Sequence, residues 1–312
     1  MEIEENKHIE ITELTEDRLK FTLSGVDTSI ANGLRRIMIA EVPSVAIRTV
    51  TIKENTSVLA DDYIAHRLGL IPIRHLGDDS STEIVDYFEV SAPGNRSSVR
   101  LELNETCTGD RPLNVTSKHL KSLNPYYAPA HATSQAEALA QNNEGIRIVS
   151  LAPGQTLHVE CEAILGVGKE HAKWSPVGTV SMKYVPIVHL NRDLLDSKDF
   201  EFKQKLVDSC PRKVFSINPD TNRVTIVNES ACMFCGDCEA FNTSYADKIV
   251  TISQQPNVFK FVVEGTGALP PLEILKKALE VLEMKLNRIK HGLQEIMLST
   301  VWLVCCNQHV NW

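Results

Sequence analysis

Between residues 8 and 24 apolar and polar side chains alternate, with Ile9 and Ile11 in one stretch and Leu19, Phe21 and Leu23 in the next. A period of two predicts half-buried strands, and Glu16-Asp17 between them predicts a hairpin turn. The period then lengthens. Ile30, Leu34, Ile37 and Met38 fall on one face of a helix that Asp27 and Thr28 can cap and Pro43 stops, with a basic corner at Arg35-Arg36. Residues 49–53 read as a strand, and Asp61-Asp62 cap a second short helix that carries His66 and Leu68 and ends at Gly69 and Pro72.

From about residue 76 to 186 the pattern is strands and polar loops, with strand-like runs at 99–103, 146–151 and 156–165. Residues 124–144, rich in Asn, Ala, Ser and Gln, predict a mobile loop. The block reads as a separate β-rich unit. A β-branched strand at 258–264 leads into the turn Gly-Thr-Gly-Ala-Leu-Pro-Pro, after which a long helix runs from Pro270 or Pro271 to about Leu298. Its residues Leu275, Leu279, Leu282, Leu286, Ile289, Leu293 and Ile296 alternate spacings of four and three, the heptad seam of helices that pack along one another. A helix of roughly 27 residues spans about 40 Å, too long to hide within a small domain. An internal core helix and a helix-helix interface both remain open on periodicity alone.

Composition narrows the function. No run of roughly 18 to 20 apolar residues is present, and the acidic start MEIEENKHIEITE lacks the basic and then apolar character of a signal peptide, so an intracellular, soluble protein without membrane contact is expected. A formal net charge of −8 argues against broad attraction to phosphate, so any work on nucleic acid goes through partners rather than direct sequence-specific binding. Three of the eight cysteines stand in Cys232-x-x-Cys235-x-x-Cys238, and Cys210-Pro211 lies upstream. That pattern fits one 4Fe-4S site, three thiolates wrapping one face and a remote one closing it, with Gly236 relieving the bend. A structural zinc on the same four thiolates and a set of free thiols are the alternatives. Cys107, Cys161, Cys305 and Cys306 have no metal spacing, and Cys161 inside an alternating strand is expected in the core.

The segment Gly168-Lys169-Glu170-His171-Ala172-Lys173-Trp174 groups charge with one His and one Trp. His171 beside Glu170 could act as a base, but no nucleophile elbow, phosphate loop or carboxylate cluster accompanies it, so a contact patch is the expected role. His66 is expected to be a satisfied, partly buried histidine. No residue is assigned a catalytic role.

The runs ANGLRRIMIAEVPSVAI at 31–47 and NTSVLADDYIAHRLGLIPI at 55–73, with GKEHAKWSPV at 168–177 and FVVEGTGALPPLEILKKALEVL at 261–282, resemble the D/alpha-like assembly subunits of RNA polymerases. That family comprises the third-largest subunit of eukaryotic polymerase II, the archaeal D subunit and the bacterial alpha subunit. The resemblance covers nearly the whole chain. It implies an α+β fold with a discontinuous dimerisation domain (1–55 and 255–300), an inserted β-rich domain (56–187), a small ferredoxin-like cysteine-bearing segment (188–254) and a tail (301–312). It further implies a non-catalytic scaffold that pairs with a smaller alpha-like subunit and nucleates assembly of the catalytic subunits. Asn32, Leu34, Arg35, Arg36 and Glu41 fall in the helix motif that contacts the second-largest subunit, and Leu275, Leu279, Leu282, Leu286 and Ile289 fall on the pairing helix. Many polymerase II subunits carry a zinc-binding cysteine cluster that is missing here between residues 74 and 95; the Cys-Pro plus C-x-x-C-x-x-C pattern is the one associated with archaeal D subunits and some eukaryotic relatives. The wording VLADDYIAHRLGLIP favours polymerase II and a nuclear location over the subunit shared by polymerases I and III or an archaeal enzyme, for which the cytoplasm is expected. The runner-up is an iron-sulfur electron-transfer protein, against which stand some 260 residues that such a protein does not need.

Overall fold

A computed structural model describes residues 8–76, 98–130, 145–242 and 248–307, with side chains described through Ile296. In chain order the strands and helices are β1 (His8–Leu14), β2 (Arg18–Ser24), α1 (Thr28–Ala40), β3 (Pro43–Asn55), α2 (Asp61–Gly69), β4 (Ile73–His75), β5 (Ser98–Thr106), β6 (Leu113–Thr116), β7 (Lys121–Ser122), β8 (Tyr127–Pro129), β9 (Arg147–Leu151), β10 (Thr156–Val167), β11 (Val177–Leu190), α3 (Arg192–Asp196), α4 (Phe200–Asp208), β12 (Phe215–Asn218), β13 (Arg223–Ile226), β14 (Val250–Gly265) and α5 (Pro271–Asn307). The fold is α+β. One four-stranded sheet has the order β1-β2-β14-β11 and another the order β3-β10-β5-β7, with two-stranded pairs β12-β13, β4-β8 and β6-β9.

The chain divides into two compact units, Ile11–Lys20 with Asn32–Ser181 and Val262–Trp312, and Met1–Glu10 with Phe21–Ala31 and Met182–Phe261. In the first, β10 pairs antiparallel with both β3 and β5 and bulges against β3 after His158 and Glu162. Its alternation puts Leu157, Val159, Cys161 and Ala163 into a core that Ile64, Leu68, Ile71 and Ile73 close from α2 and the turn after it. Cys161 is buried as expected, and burial pushes its thiol up to about 12, which leaves it an inert small hydrophobe. In the second unit, Phe21 and Phe261 stack with ring centroids 4.7 Å apart. A separate core there gathers Leu195, Leu206, Phe215, Val224 and Val250.

Several sequence expectations change. The segment 124–144 is not all loop: Tyr127–Pro129 pairs with Ile73–His75, while residues 131–144 lie outside the described residues. Asp61 and Asp62 do not cap α2. Ala60 holds the cap position without a side-chain bond, and Asp61 instead accepts a hydrogen bond from Asn55 Nδ2 at 2.7 Å. Both carboxylates still favour the positive end of the helix. The long helix continues past Leu298 to Asn307, because residues 299–307 contain no Gly or Pro to stop it. His66 is exposed rather than partly buried. No helix among the described residues is long and apolar enough to cross a membrane.

Candidate functional site

α5 leaves a turn that is tied down at three points. Gly265 N–H donates to Asp17 O at 2.8 Å, Thr266 N–H to Pro176 O at 2.9 Å, and Arg74 Nε to Gly267 O at 3.1 Å. The first three turns of α5 then bury Ile274, Leu275, Ala278 and Val281. Beyond that the seam surfaces. Leu282 is half-buried and Leu279 is exposed, and Leu286, Ile289, Leu293 and Ile296 are 57–63% exposed. Four successive apolar side chains on one helix face thus meet water. Helical stability in proteins comes mostly from packing of such a face, and these four side chains stay more than half exposed.

α1 presents a different arrangement. Leu34 lies in the core, so its side chain shapes the helix seat and is not available to a partner. Half-buried Asn32 accepts from Arg35 Nε at 3.0 Å, while Arg36 is exposed. Just past the helix, both Glu41 carboxylate oxygens accept from Lys285 Nζ at 2.9 and 2.8 Å, which links the end of α1 to α5. Partly exposed on both sides, this pair is worth at most about 1 kcal/mol and serves chiefly to set position.

The segment 168–174 leaves residues 169–172 exposed and buries its Trp174 end. Trp174 is buried, its Nε1 donates to Ile164 O at 3.0 Å, and Ser44 Oγ donates to its carbonyl at 2.7 Å. Lys169 N–H donates to Ala40 O at 2.8 Å, so the segment fastens the last turn of α1. His171 is exposed and its Nδ1 accepts from Lys173 N–H at 3.1 Å, the local bond of a cap. Burial, and secondarily Arg48, hold the Lys173 amine below its ordinary value, while its Nζ donates to Ile47 O at 2.9 Å.

The cysteine loop lies in the other unit. Cys210, Cys232, Cys235 and Cys238 all line one small pocket, together with Arg212, Met233, Phe215 and Ile252. Phe234 and Gly236 both adopt left-handed φ, 58° and 84°, which curls the loop; at Phe234 that conformation is costly, and Gly236 adopts it freely. Val214 N–H points at Cys210 Sγ at 3.4 Å, as amides do toward an electron-rich sulfur. Cys238 is buried, and burial first, then the three neighbouring thiols, push its own thiol up to about 11. A Cys238 thiolate is therefore disfavoured here without a neighbouring cation. Among the described residues no three His, Cys, Asp or Glu side chains converge as ligands of a single ion.

The RNA polymerase Rpb3/Rpb11 dimerisation domain matches residues 20–286. This chain belongs to that family. It is 39% identical over 293 residues to DNA-directed RNA polymerase II subunit rpb3 of Dictyostelium discoideum, covering 93% of this chain and 96% of that protein. It is 38% identical over 288 residues to subunit 3 of the DNA-directed RNA polymerases II, IV and V of Arabidopsis thaliana, covering 90% of each. To the archaeal subunit Rpo3 of Methanosphaera stadtmanae it is 31% identical over 289 residues, 92% of this chain and 99% of that one. As a member of the Rpb3/Rpb11 family the chain is a non-catalytic scaffold subunit of a DNA-directed RNA polymerase and acts in transcription. The electron-transfer alternative finds no support in these relatives.

Of the residues assigned from sequence, those on α5 separate into buried Leu275, half-buried Leu282 and exposed Leu279, Leu286 and Ile289, and the exposed run continues through Leu293 and Ile296. The four cysteines do come to one pocket. Arg212 and Ile252 also line it, and no spacing in the sequence signalled them.

Proposed function

We propose that the chain is the alpha-like subunit of a nuclear RNA polymerase II, and that it acts by burying the exposed seam of α5 against a smaller alpha-like subunit to make the platform on which the catalytic subunits assemble. The observation that carries this is the run Leu286, Ile289, Leu293 and Ile296 left in water on one face of a helix in a family described by its dimerisation domain. Higher identity to the two polymerase II relatives than to the archaeal subunit supports the choice of polymerase, and with it the nucleus.

Magnitudes set the extent of the interface. Fully burying a leucine or isoleucine is worth about 1.5–3 kcal/mol, so four that are already near half-buried add roughly 4–6 kcal/mol. That only matches the lower end of the roughly 4–15 kcal/mol that association costs. The seam alone does not make a permanent pair; further surface must join it, and an obligate interface of this kind buries more than about 2,000 Å².

Co-expression with the smaller subunit tests the proposal. The pair should elute as a 1:1 complex with a sharp unfolding transition, while the chain alone self-associates. Replacing Leu286 and Ile289 together by Asp should abolish the complex. A monodisperse chain indifferent to the smaller subunit would overturn the proposal.

We further propose that Cys210, Cys232, Cys235 and Cys238 hold a 4Fe-4S cluster, with zinc as the alternative. Their shared pocket, the curled loop and the amide directed at Cys210 support metal binding. Three ligands in one Cys-x-x-Cys-x-x-Cys run with a remote Cys-Pro, rather than paired knuckles, is the spacing that favours the cluster over zinc. When bound, the metal would supply a cross-link between the Cys210 turn and the 232–238 loop, a folding role that needs no redox chemistry.

A further inference from the structure

Gly292 stands in the middle of the exposed half of α5, where glycine is the poorest residue for a helix after proline. Nothing lies within 4 Å of the position its Cβ would take, and its φ is not left-handed. Among the described residues neither packing nor backbone geometry calls for glycine there. At 3.6 residues per turn Gly292 borders the seam, beside Ile289 three residues before it and Ile296 four residues after it. Two turns earlier on the same flank stands Lys285, whose ammonium is committed to Glu41. The flank is therefore low at Gly292, a notch alongside a ridge of exposed apolar side chains.

A bare helix backbone beside an apolar ridge is what a second helix needs to approach closely, since a side chain would hold the two backbones apart. We infer that Gly292 is the crossing point at which a helix of the smaller alpha-like subunit comes nearest to α5. The occupant is an amphipathic helix whose apolar face covers Leu286, Ile289, Leu293 and Ile296. Lys290, exposed on the opposite flank of the seam, selects an acidic side chain on that helix. The inference rests on the pairing proposed above and places its closest contact.

Gly292→Ala, Gly292→Leu and a control, Asn287→Leu on the far side of the helix, distinguish the two ideas, each co-expressed with the smaller subunit. In the isolated chain Gly292→Ala should slow amide exchange around residue 292 about fivefold, because alanine favours the helix. In the complex the sign reverses: Gly292→Ala should weaken pairing severalfold and Gly292→Leu by about tenfold or more, with Asn287→Leu unchanged. A wild-type complex that Gly292→Leu leaves intact overturns this inference alone. Failure of the wild-type chain to pair overturns the proposed function and the inference together.

Discussion

At the scale of single residues, the clearest constraint is a missing side chain. A Cβ on Gly166 would stand 2.5 Å from the ring of Trp174, and that ring is buried and held by its bond to Ile164 O. Neither side can give. Gly166→Ala should therefore cost about 1–3 kcal/mol, the usual effect of overpacking, read as a lower denaturant midpoint at unchanged slope. The sequence marked Trp174 as notable but not as buried, since a tryptophan among Lys, Glu and His reads as a surface residue until a strand ten residues away supplies its acceptor. For Cys161 the reading was available, because the alternation of β10 points it inward whatever lies opposite.

At the scale of elements, α1 shows how local chemistry sets a boundary. Asp27 Oδ1 accepts from Ser29 Oγ at 2.6 Å and from the amides of Ser29 and Ile30 at 2.7 and 3.0 Å. These bonds, led by the Ser29 hydroxyl, lower its pKa below the ordinary 3.8. A depressed carboxylate adds stability that is present above its unfolded value and lost as pH falls through the folded one. Asp27→Ala should thus lower Tm at neutral pH, and the gap from wild type should close below about pH 3.8 as the wild-type carboxyl protonates; a gap independent of pH would exclude the cap as its cause. This boundary was legible because capping needs only neighbours in sequence. The cap of α2 was misread for the converse reason: Asn55 competes for Asp61, and that contact depends on where β3 ends.

At the scale of the whole molecule, Cys210 and the 232–238 loop line one pocket, with the chain between them folded into the pair β12 and β13. Anaerobic purification should yield a brown protein with about four irons per chain, whereas a colourless one with about one zinc would replace the cluster by the alternative. Cys235→Ser should loosen residues 190–250 to protease and lower the yield of assembled polymerase; unchanged resistance and yield would remove the site from the scaffold. By itself the sequence determined α1, α2, the start and seam of the long terminal helix and the cap of α1, since each is a matter of periodicity or spacing within a few turns of chain; it did not show α3, α4 or the approach of Cys210 to the 232–238 loop. Only the tertiary structure decided that Leu34 and Leu275 face inward while Leu286, Ile289, Leu293 and Ile296 face water, that Trp174 is buried, and that Lys169 fastens the last turn of α1. Periodicity defines a face without saying what covers it, and coverage comes from segments that only folding brings close, as Ser44 meets Trp174 across the length of the unit.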